Sequence, residues 1–313
     1  MKWLKYSILM LLMCSALSLN AADYPNRPVT LLIGFERGGT AYTQAEVLAE
    51  VLADNLGQPV SLQRKSGLGG GIAAAMLASS KSEGYIVLFT PSFPITDYPP
   101  NVQASYSIDD FRYIGAVSED QHALVTSRFA PFNTWAEFLQ YARQQGEISY
   151  VSQNMTDRHL IQTIAEKEGF EVRIIPVSGG AGMAPLVLSG DVDLAFSGGT
   201  HSRYSDTGEM RVLAATGQRR LEHYPDIPTL EELGYPLIMQ SVRLLAVPKD
   251  TPEYQVEVLI QATRRALEDP RFIQVTQEVI RQPIRFIDGE ELNQFLYQQR
   301  QRQLQLLEHT HTE

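Results

Sequence analysis

A single cysteine in 313 residues, Cys14, excludes an internal disulfide framework and a thiolate metal cluster. After Leu19 no apolar run is long enough to cross a bilayer, which takes about 20 residues. The chain has no Gly-x-Ser-x-Gly elbow, His-Glu-x-x-His helix or P-loop, so hydrolase, metalloprotease and nucleotide-hydrolase readings have no signature. Positive charge is in deficit: 26 Lys and Arg against 36 Asp and Glu give a net charge of -10. That balance argues against nucleic acid and anionic membrane surfaces as partners, but not against a small anion, because the local field of a cleft can oppose the global one. Internal repeats and low-complexity linkers are also missing. No cofactor and no metal are expected.

What is present starts with an export signal. Met1-Lys2-Trp3-Leu4-Lys5 is a basic start, Tyr6 to Leu19 an apolar stretch, and Ala21-Ala22 a small-residue exit before Asp23. This pattern is a signal peptide over 1–22, and the mature chain is expected to be periplasmic or secreted. A lipid anchor at Cys14 is the alternative, since Leu11-Leu12-Met13-Cys14 loosely resembles a lipobox, although Met13 fits poorly. Without that anchor the mature chain has no thiol chemistry.

From Val29 onward strand-like and helix-like segments alternate, which predicts an α/β fold with parallel sheets. Val29 to Phe35 is followed by a helix with Ala45, Leu48, Ala49, Leu52 and Leu56 on one face. Val60 to Gln63, the small-residue helix Ile72 to Ser80 and Tyr85 to Thr90 come next. A second series begins near Pro131: a capping box at Thr134-Trp135-Ala136-Glu137 opens a helix, then strands and helices alternate to Phe196. Pro185 fits a helix over 183–189 only in its first turn. Length and this doubling predict two lobes, 23–124 with 241–313 and, inserted between them, 125–240. The two crossings then form a hinge.

Four turns lead from an apolar stretch into a helix: Gly34 to Thr40, Gly67 to Gly71, Ser152 to Thr156 and Ser178 to Gly182. A helix start presents unpaired N–H groups and about half a positive charge, so each turn is a candidate anion cradle. Gly38, Gly39 and Thr40 make the first, Gly69 and Gly70 the second, and Gly179, Gly180 and Gly198 offer further bare backbone. Each is also readable as an ordinary tight turn. Ser92, Ser152, Thr156, Ser178, Ser197 and Thr200 fall at strand ends or helix starts, where open α/β sheets bind ligands, and each could equally be a cap. Arg37 could pair with a carboxylate or with a neighbouring acid. Tyr42, Phe35 and Phe93 could stack on a flat ligand or pack a core. His159 and His201 could donate to an anion or be satisfied structurally, and His309 and His311 sit in the tail. Gly67 to Gly71 echoes a dinucleotide fingerprint, but Ile72 stands where its last glycine belongs.

In order along the chain, these motifs resemble the periplasmic substrate-binding proteins of tripartite tricarboxylate transporters, the Bug family. The resemblance rests on Tyr24-Pro25-Asn26-Arg27-Pro28-Val29, Phe35 with Gly38-Gly39, and Gly67-Leu68-Gly69-Gly70. Further along it rests on Glu83-Gly84-Tyr85, Asp110-Phe111, Tyr150-Val151-Ser152 through His159-Leu160, Gly190-Asp191-Val192-Asp193-Leu194 and Tyr224 to Thr229 with Gly234. It implies a type II periplasmic binding fold, two α/β lobes that close on a small organic carboxylate and deliver it to membrane permease subunits. A monomer without catalytic residues is expected, and a periplasmic sensor subunit is the alternative. The chain departs from the family pattern at Glu36, Arg37, Tyr42, Glu46, Gly71, Ser178 and Arg243, so the family's usual ligands do not carry over.

Overall fold

The structure, a computed structural model, describes residues 24–101 and 103–310. The signal segment, Cys14 and His311 lie outside these residues. No helix among the described residues is long and apolar enough to cross a membrane.

Val29–Ile33 (β1) is buried on both faces, as expected of a central strand. It pairs in parallel with Val60–Arg64 (β2) and Ile86–Pro91 (β3). Thr40–Leu56 (α1) lays Ala45, Leu48, Ala49 and Leu52 against the sheet and stops at Gly57, in the left-handed conformation that glycine adopts without strain. The small-residue helix Gly71–Ala78 (α2) buries Ala73, Ala74 and Leu77. Phe111–Glu119 (β4) then runs through Asp120 to His122 into Ala123–Ser127 (β5), the first strand of a second sheet.

The second sheet is built with Trp135–Gln145 (α3), Glu147–Ser152 (β6), Met155–Glu168 (α4), Glu171–Pro176 (β7), Gly180–Ser189 (α5), Leu194–Ser197 (β8) and Met210–Ala215 (β9). Val242–Pro248 (β10) returns to the first sheet, followed by Glu253–Glu268 (α6), Ile284–Ile287 (β11) and Gly289–Thr310 (α7). The strand orders are β11-β4-β10-β3-β1-β2 and β7-β6-β8-β5-β9.

Both sheets are mixed, which corrects the expectation of parallel sheets. β10 is antiparallel to β3 and β4, and β5 is antiparallel to β8 and β9. The cause is the crossing itself. β4 leaves the first sheet without a helical crossover and β10 comes back beside it, so the two must run in opposite directions; β5 and β9 repeat this in the second sheet.

Alternate side chains of β1 and β3 feed two cores. Leu31, Ile33, Val87 and Phe89 meet α1 and α6, while Leu32 and Leu88 meet Ala73, Ala74, Leu77 and, from α7, Leu292 and Leu296. Two local expectations change. The helix around Pro185 starts at Gly180, so the proline lies inside it rather than in its first turn. At α3 only half of the capping box forms: Thr134 Oγ1 accepts from Glu137 N, but the Glu137 carboxylate accepts from Asn133 N instead of Thr134.

Candidate functional site

The helices divide by how their starts are neutralised. α3, α4, α6 and α7 carry Glu137, Asp157, Glu253 and the pair Glu290 and Glu291 in their first turns. These acids offset the positive end of the helix dipole. α1, α2 and α5 follow Gly39, Gly70 and Gly179, with no side-chain cap and no acid in the first turn. At α2 the Gly71 and Ile72 amides donate to the Leu68 and Gly67 carbonyls of the preceding turn; at α1 and α5 the leading amides and positive ends are left for another acceptor.

The α1 and α5 starts, one from each lobe, meet beside Phe35, and Gly70, which precedes α2, packs on the same ring. A Cβ added to Gly70 or to Gly179 would come within 3.2 Å of the Phe35 ring, and one added to Gly39 within 3.7 Å of Ala181 N. Gly70 (φ +100) and Gly179 (φ +75) also have backbones that suit glycine. Phe35 packs edge-on against Phe93, their ring centres 6.2 Å apart. The space enclosed here is about 30 Å³, lined by Phe35, Thr40, Phe93, Gly180, Gly198 and Arg243 among others. That is room on the order of one or two waters.

Behind this space lies a buried polar network. Arg243 donates from Nε to Asp120 Oδ1 at 2.9 Å, from Nη1 to Gln44 Oε1 at 2.9 Å and from Nη2 to Thr40 Oγ1 at 2.7 Å. Nη2 also reaches the Gly198 carbonyl of the other lobe at 3.5 Å. Asp120 accepts further from Ser241 Oγ and Gln282 Nε2. Burial works to raise the Asp120 carboxyl, but Arg243, His122 and Ser241 outweigh it and hold the group below the usual carboxylate range. His122 is buried with no hydrogen bond on either ring nitrogen, and its Nε2 stands 3.6 Å from Asp120 Oδ2. Burial, assisted by His122, depresses the His201 imidazole to about 3, so it is neutral near pH 7; its Nδ1 is 3.0 Å from Ser197 Oγ.

A chamber of about 460 Å³ opens beside Phe93, within the size range of ligand pockets. The first lobe contributes Leu68, Gly69, Phe93, Asp97 and Tyr98; the second contributes residues from Ser152 to Thr156, Arg158 and Pro176 to Ser178. It shares Phe93, Gln153 and Ser178 with the smaller space. Thr156 Oγ1 donates across the lobes to Asp97 Oδ2 at 2.7 Å, and Thr96 Oγ1 to Oδ1 at 2.6 Å. Burial pushes Asp97 up to about 6 against these hydroxyls and His122. Burial likewise raises Asp157, which caps α4, to about 7, although Ser152 and the Gln153 and Asn154 amides oppose it. Among the described residues no cluster of three His, Cys, Asp or Glu could hold a metal ion.

Of the residues singled out in the sequence, Phe35, Gly39, Thr40, Phe93, Ser178, Gly179, Gly180 and Gly198 line the small space. Gly69, Ser152 and Thr156, with Phe93 and Ser178, line the chamber. Others lie elsewhere. Arg37 is exposed and pairs with Glu46 at 2.8 Å, so the two departures flagged in the sequence neutralise each other. Tyr42 packs on the first lobe's core under the Arg37 guanidinium. Ser92 is buried against Ser241, Ser197 accepts from His201 N, Gly38 lines neither space, and Gly70 packs on Phe35 and Pro94. His159 faces a separate space of about 20 Å³ beside Leu237 and Met239. Sequence reasoning missed Asp97, Tyr98, Gln153, Arg158, Asp120 and His122, of which only Asp120 and His122 carried a signal, as polar residues at the crossing between two apolar strands.

The family model described as the tripartite tricarboxylate transporter family receptor matches residues 44–311. A protein encoded in the gbd 5' region of Cupriavidus necator is 30% identical over 80% of this chain and 78% of its own length. The solved structure of the periplasmic binding protein BugD superposes with a TM-score of 0.83 at 25% identity, covering 93% of this chain and 99% of that one. A structure of R. palustris Rpa4515 with adipate shares the fold, with a TM-score of 0.80 at 23% identity over 91% of this chain and 98% of that one. The family is described as a transporter receptor and BugD as a periplasmic binding protein, neither as an enzyme. The chain belongs to the tripartite tricarboxylate transporter receptor family, and its fold is the two-lobed fold of periplasmic solute-binding proteins.

Proposed function

We propose that this chain is an extracytoplasmic receptor that captures a small organic carboxylate between its lobes and hands it to the permease subunits of a tripartite tricarboxylate-type transporter. Residues 1–22 direct export to the periplasm, and the lobes, 23–124 with 241–313 and 125–240, move as one monomeric clamp about the two crossings. The observation that carries this reading is the meeting, beside Phe35, of two glycine-headed helix starts, α1 from one lobe and α5 from the other, with no acid or side-chain cap of their own.

One helix end contributes only about 0.3–1 kcal/mol when exposed and about 2 when partly buried. Burying a carboxylate costs several kilocalories. A single start therefore fails where several succeed, with the amides of Thr40, Ala41, Gly180 and Ala181 and the hydroxyl of Ser178 as the donor set. Because these groups belong to different lobes, a carboxylate binds the closed arrangement better than the open one, and that difference drives closure. The adipate in Rpa4515 is a solute of the kind proposed.

The test is a thermal-shift screen of organic acids followed by small-angle scattering. A ligand at about 100 times its dissociation constant adds about 2.7 kcal/mol, and the same ligand should compact the particle. Failure of every acid in the screen to stabilise the protein would remove the proposal.

A further inference from the structure

Asp97 stands on the first lobe's side of the chamber, and Thr156, in the first turn of α4, stands on the other. The 2.7 Å bond from Thr156 Oγ1 to Asp97 Oδ2 exists only while the lobes meet. Around the carboxylate the chamber wall is largely apolar, with Leu68, Phe93, Met155, Pro176 and Val177. Closing the lobes therefore takes Asp97 out of water and returns one hydroxyl to it, an exchange that disfavours the charged form.

The same segment holds a place for a proton. Thr96 Oγ1 lies 2.6 Å from Asp97 Oδ1 and 3.2 Å from the Ser92 carbonyl oxygen. A hydroxyl has a single hydrogen, so it serves one of these acceptors at a time. With Asp97 ionised, that hydrogen goes to Oδ1. With a proton from solvent on Oδ1, the carboxyl donates to Thr96 Oγ1 and Thr96 turns its own hydrogen to Ser92. Oδ2 accepts from Thr156 in both forms, and none of these atoms loses its partner.

The neighbouring charged and titratable groups are few. Tyr98 lies beside Asp97 on its own segment, and Arg158 lines the second lobe's wall of the chamber. His122, on the crossing, favours the ionised carboxyl, as do the two hydroxyls, but burial outweighs them and raises the group to about 6. Asp157, next to Thr156, is raised as well, with Arg158 opposing; it accepts from the Gln153 and Asn154 amides of its own lobe, contacts that opening leaves in place. When the lobes part, Asp97 returns to water, where such a carboxyl titrates near about 3.9.

We propose that Asp97 is a proton-binding site on the lobe boundary and that capture of a solute takes up a proton there, so that mildly acidic surroundings strengthen binding. This deepens the receptor reading and rests on it, because it needs a closed state that the solute favours.

The experiment measures, by calorimetry, the dissociation constant of adipate for the wild type and Asp97→Asn at about pH 7.5 and 5, with the proton uptake read from the dependence of the heat on the buffer's ionisation enthalpy. Adipate itself titrates in this range, so the readout is the difference between the two chains. Relative to Asp97→Asn, the wild type should gain about tenfold in affinity on acidification and take up about one proton more. Thr156→Val, which removes the hydroxyl that steadies the charged form, should lose more affinity at the higher pH than at the lower. Small-angle scattering of the unliganded chains needs no solute: the wild type should compact as the pH falls, while Asp97→Asn keeps one size. Melting temperatures report whether each variant is folded. Equal pH dependence of wild type and Asp97→Asn overturns the proton site and leaves the receptor reading intact wherever adipate binds. Proton uptake that persists undiminished in Asp97→Asn belongs to another group, Asp157 first, and overturns it equally. Where adipate does not bind, the scattering arm decides alone; failure of adipate and of every acid in the screen removes the receptor reading, and this inference with it.

Discussion

Arg243 Nε lies 2.9 Å from Asp120 Oδ1, with the two side chains 1% and 2% exposed, and the pair joins the strand that returns from the second lobe to the segment that enters it. Removing one member strands a buried charge, whereas removing both does not. Arg243→Met should therefore cost about 3–5 kcal/mol of unfolding free energy in urea, and Asp120→Asn combined with Arg243→Met should recover a large part of it. A single variant within about 1 kcal/mol of wild type would mean that Gln282 and Ser241 satisfy Asp120 alone.

Acid titration should separate His201 from Asp97. The His201 imidazole, lowered to about 3 by burial, is neutral in the folded chain, whereas an unfolded histidine takes up its proton near pH 6.5. Its contribution is thus fully present above pH 6.5 and declines as the pH falls towards 3, with a limiting slope of about 1.4 kcal/mol per pH unit. Asp97, raised to about 6, has the opposite sign: the folded state binds its proton more readily, so stability from this group grows as the pH falls from 6 to about 4. Chemical denaturation between pH 7 and 4 should show His201→Gln gaining on wild type as the pH drops and Asp97→Asn losing its advantage over the same range. Parallel curves for His201→Gln and wild type would show that the imidazole is protonated in the folded state.

The two-lobed architecture was legible because helix-period and strand-period segments alternate with little ambiguity, as in Ala45, Leu48, Ala49 and Leu52 on α1. The glycine-headed turns were legible for a similar reason, since few residues other than glycine hold φ near +100 at Gly70 or +75 at Gly179. Side-chain direction was not. Arg158 and His159 are adjacent, yet one faces the chamber and the other the space beside Leu237, because successive helical residues point about 100° apart. Charge pairing was equally hidden: Arg37 attracted notice beside its glycines, but its partner Glu46 lies on the first helix and faces water with it. The mixed sheets depended on which strands cross between lobes, information that local propensity lacks.

Arg37→Ala and Glu46→Ala serve as controls for that reading. The pair is exposed, 75% and 42% by side chain, and such pairs contribute at most about 1 kcal/mol. Each variant should bind the acid found in the screen with the wild-type dissociation constant, and Tyr42→Ala should do the same, since Tyr42 packs on the core of the first lobe rather than on the cleft. A tenfold loss of affinity in any of the three would place the first loop's side chains at the ligand after all.

Gly179→Ala addresses closure directly. Its backbone, at φ +75 and ψ -171, is one that a non-glycine residue enters only with strain, at a cost of about 1–3 kcal/mol. The new methyl would also meet the Phe35 ring at 3.2 Å, across the lobe boundary. Strain within the second lobe lowers its own stability, but the collision with Phe35 exists only when the lobes meet. The variant should therefore remain folded, lose most of its affinity for the acid, and fail to compact in small-angle scattering when that acid is added. Phe35→Ala in the Gly179→Ala background should restore part of the compaction, because it removes the ring while leaving the backbone strain in place. A Gly179→Ala protein that closes and binds like wild type would show that the contact between Phe35 and Gly179 is not part of the closed, ligand-holding state.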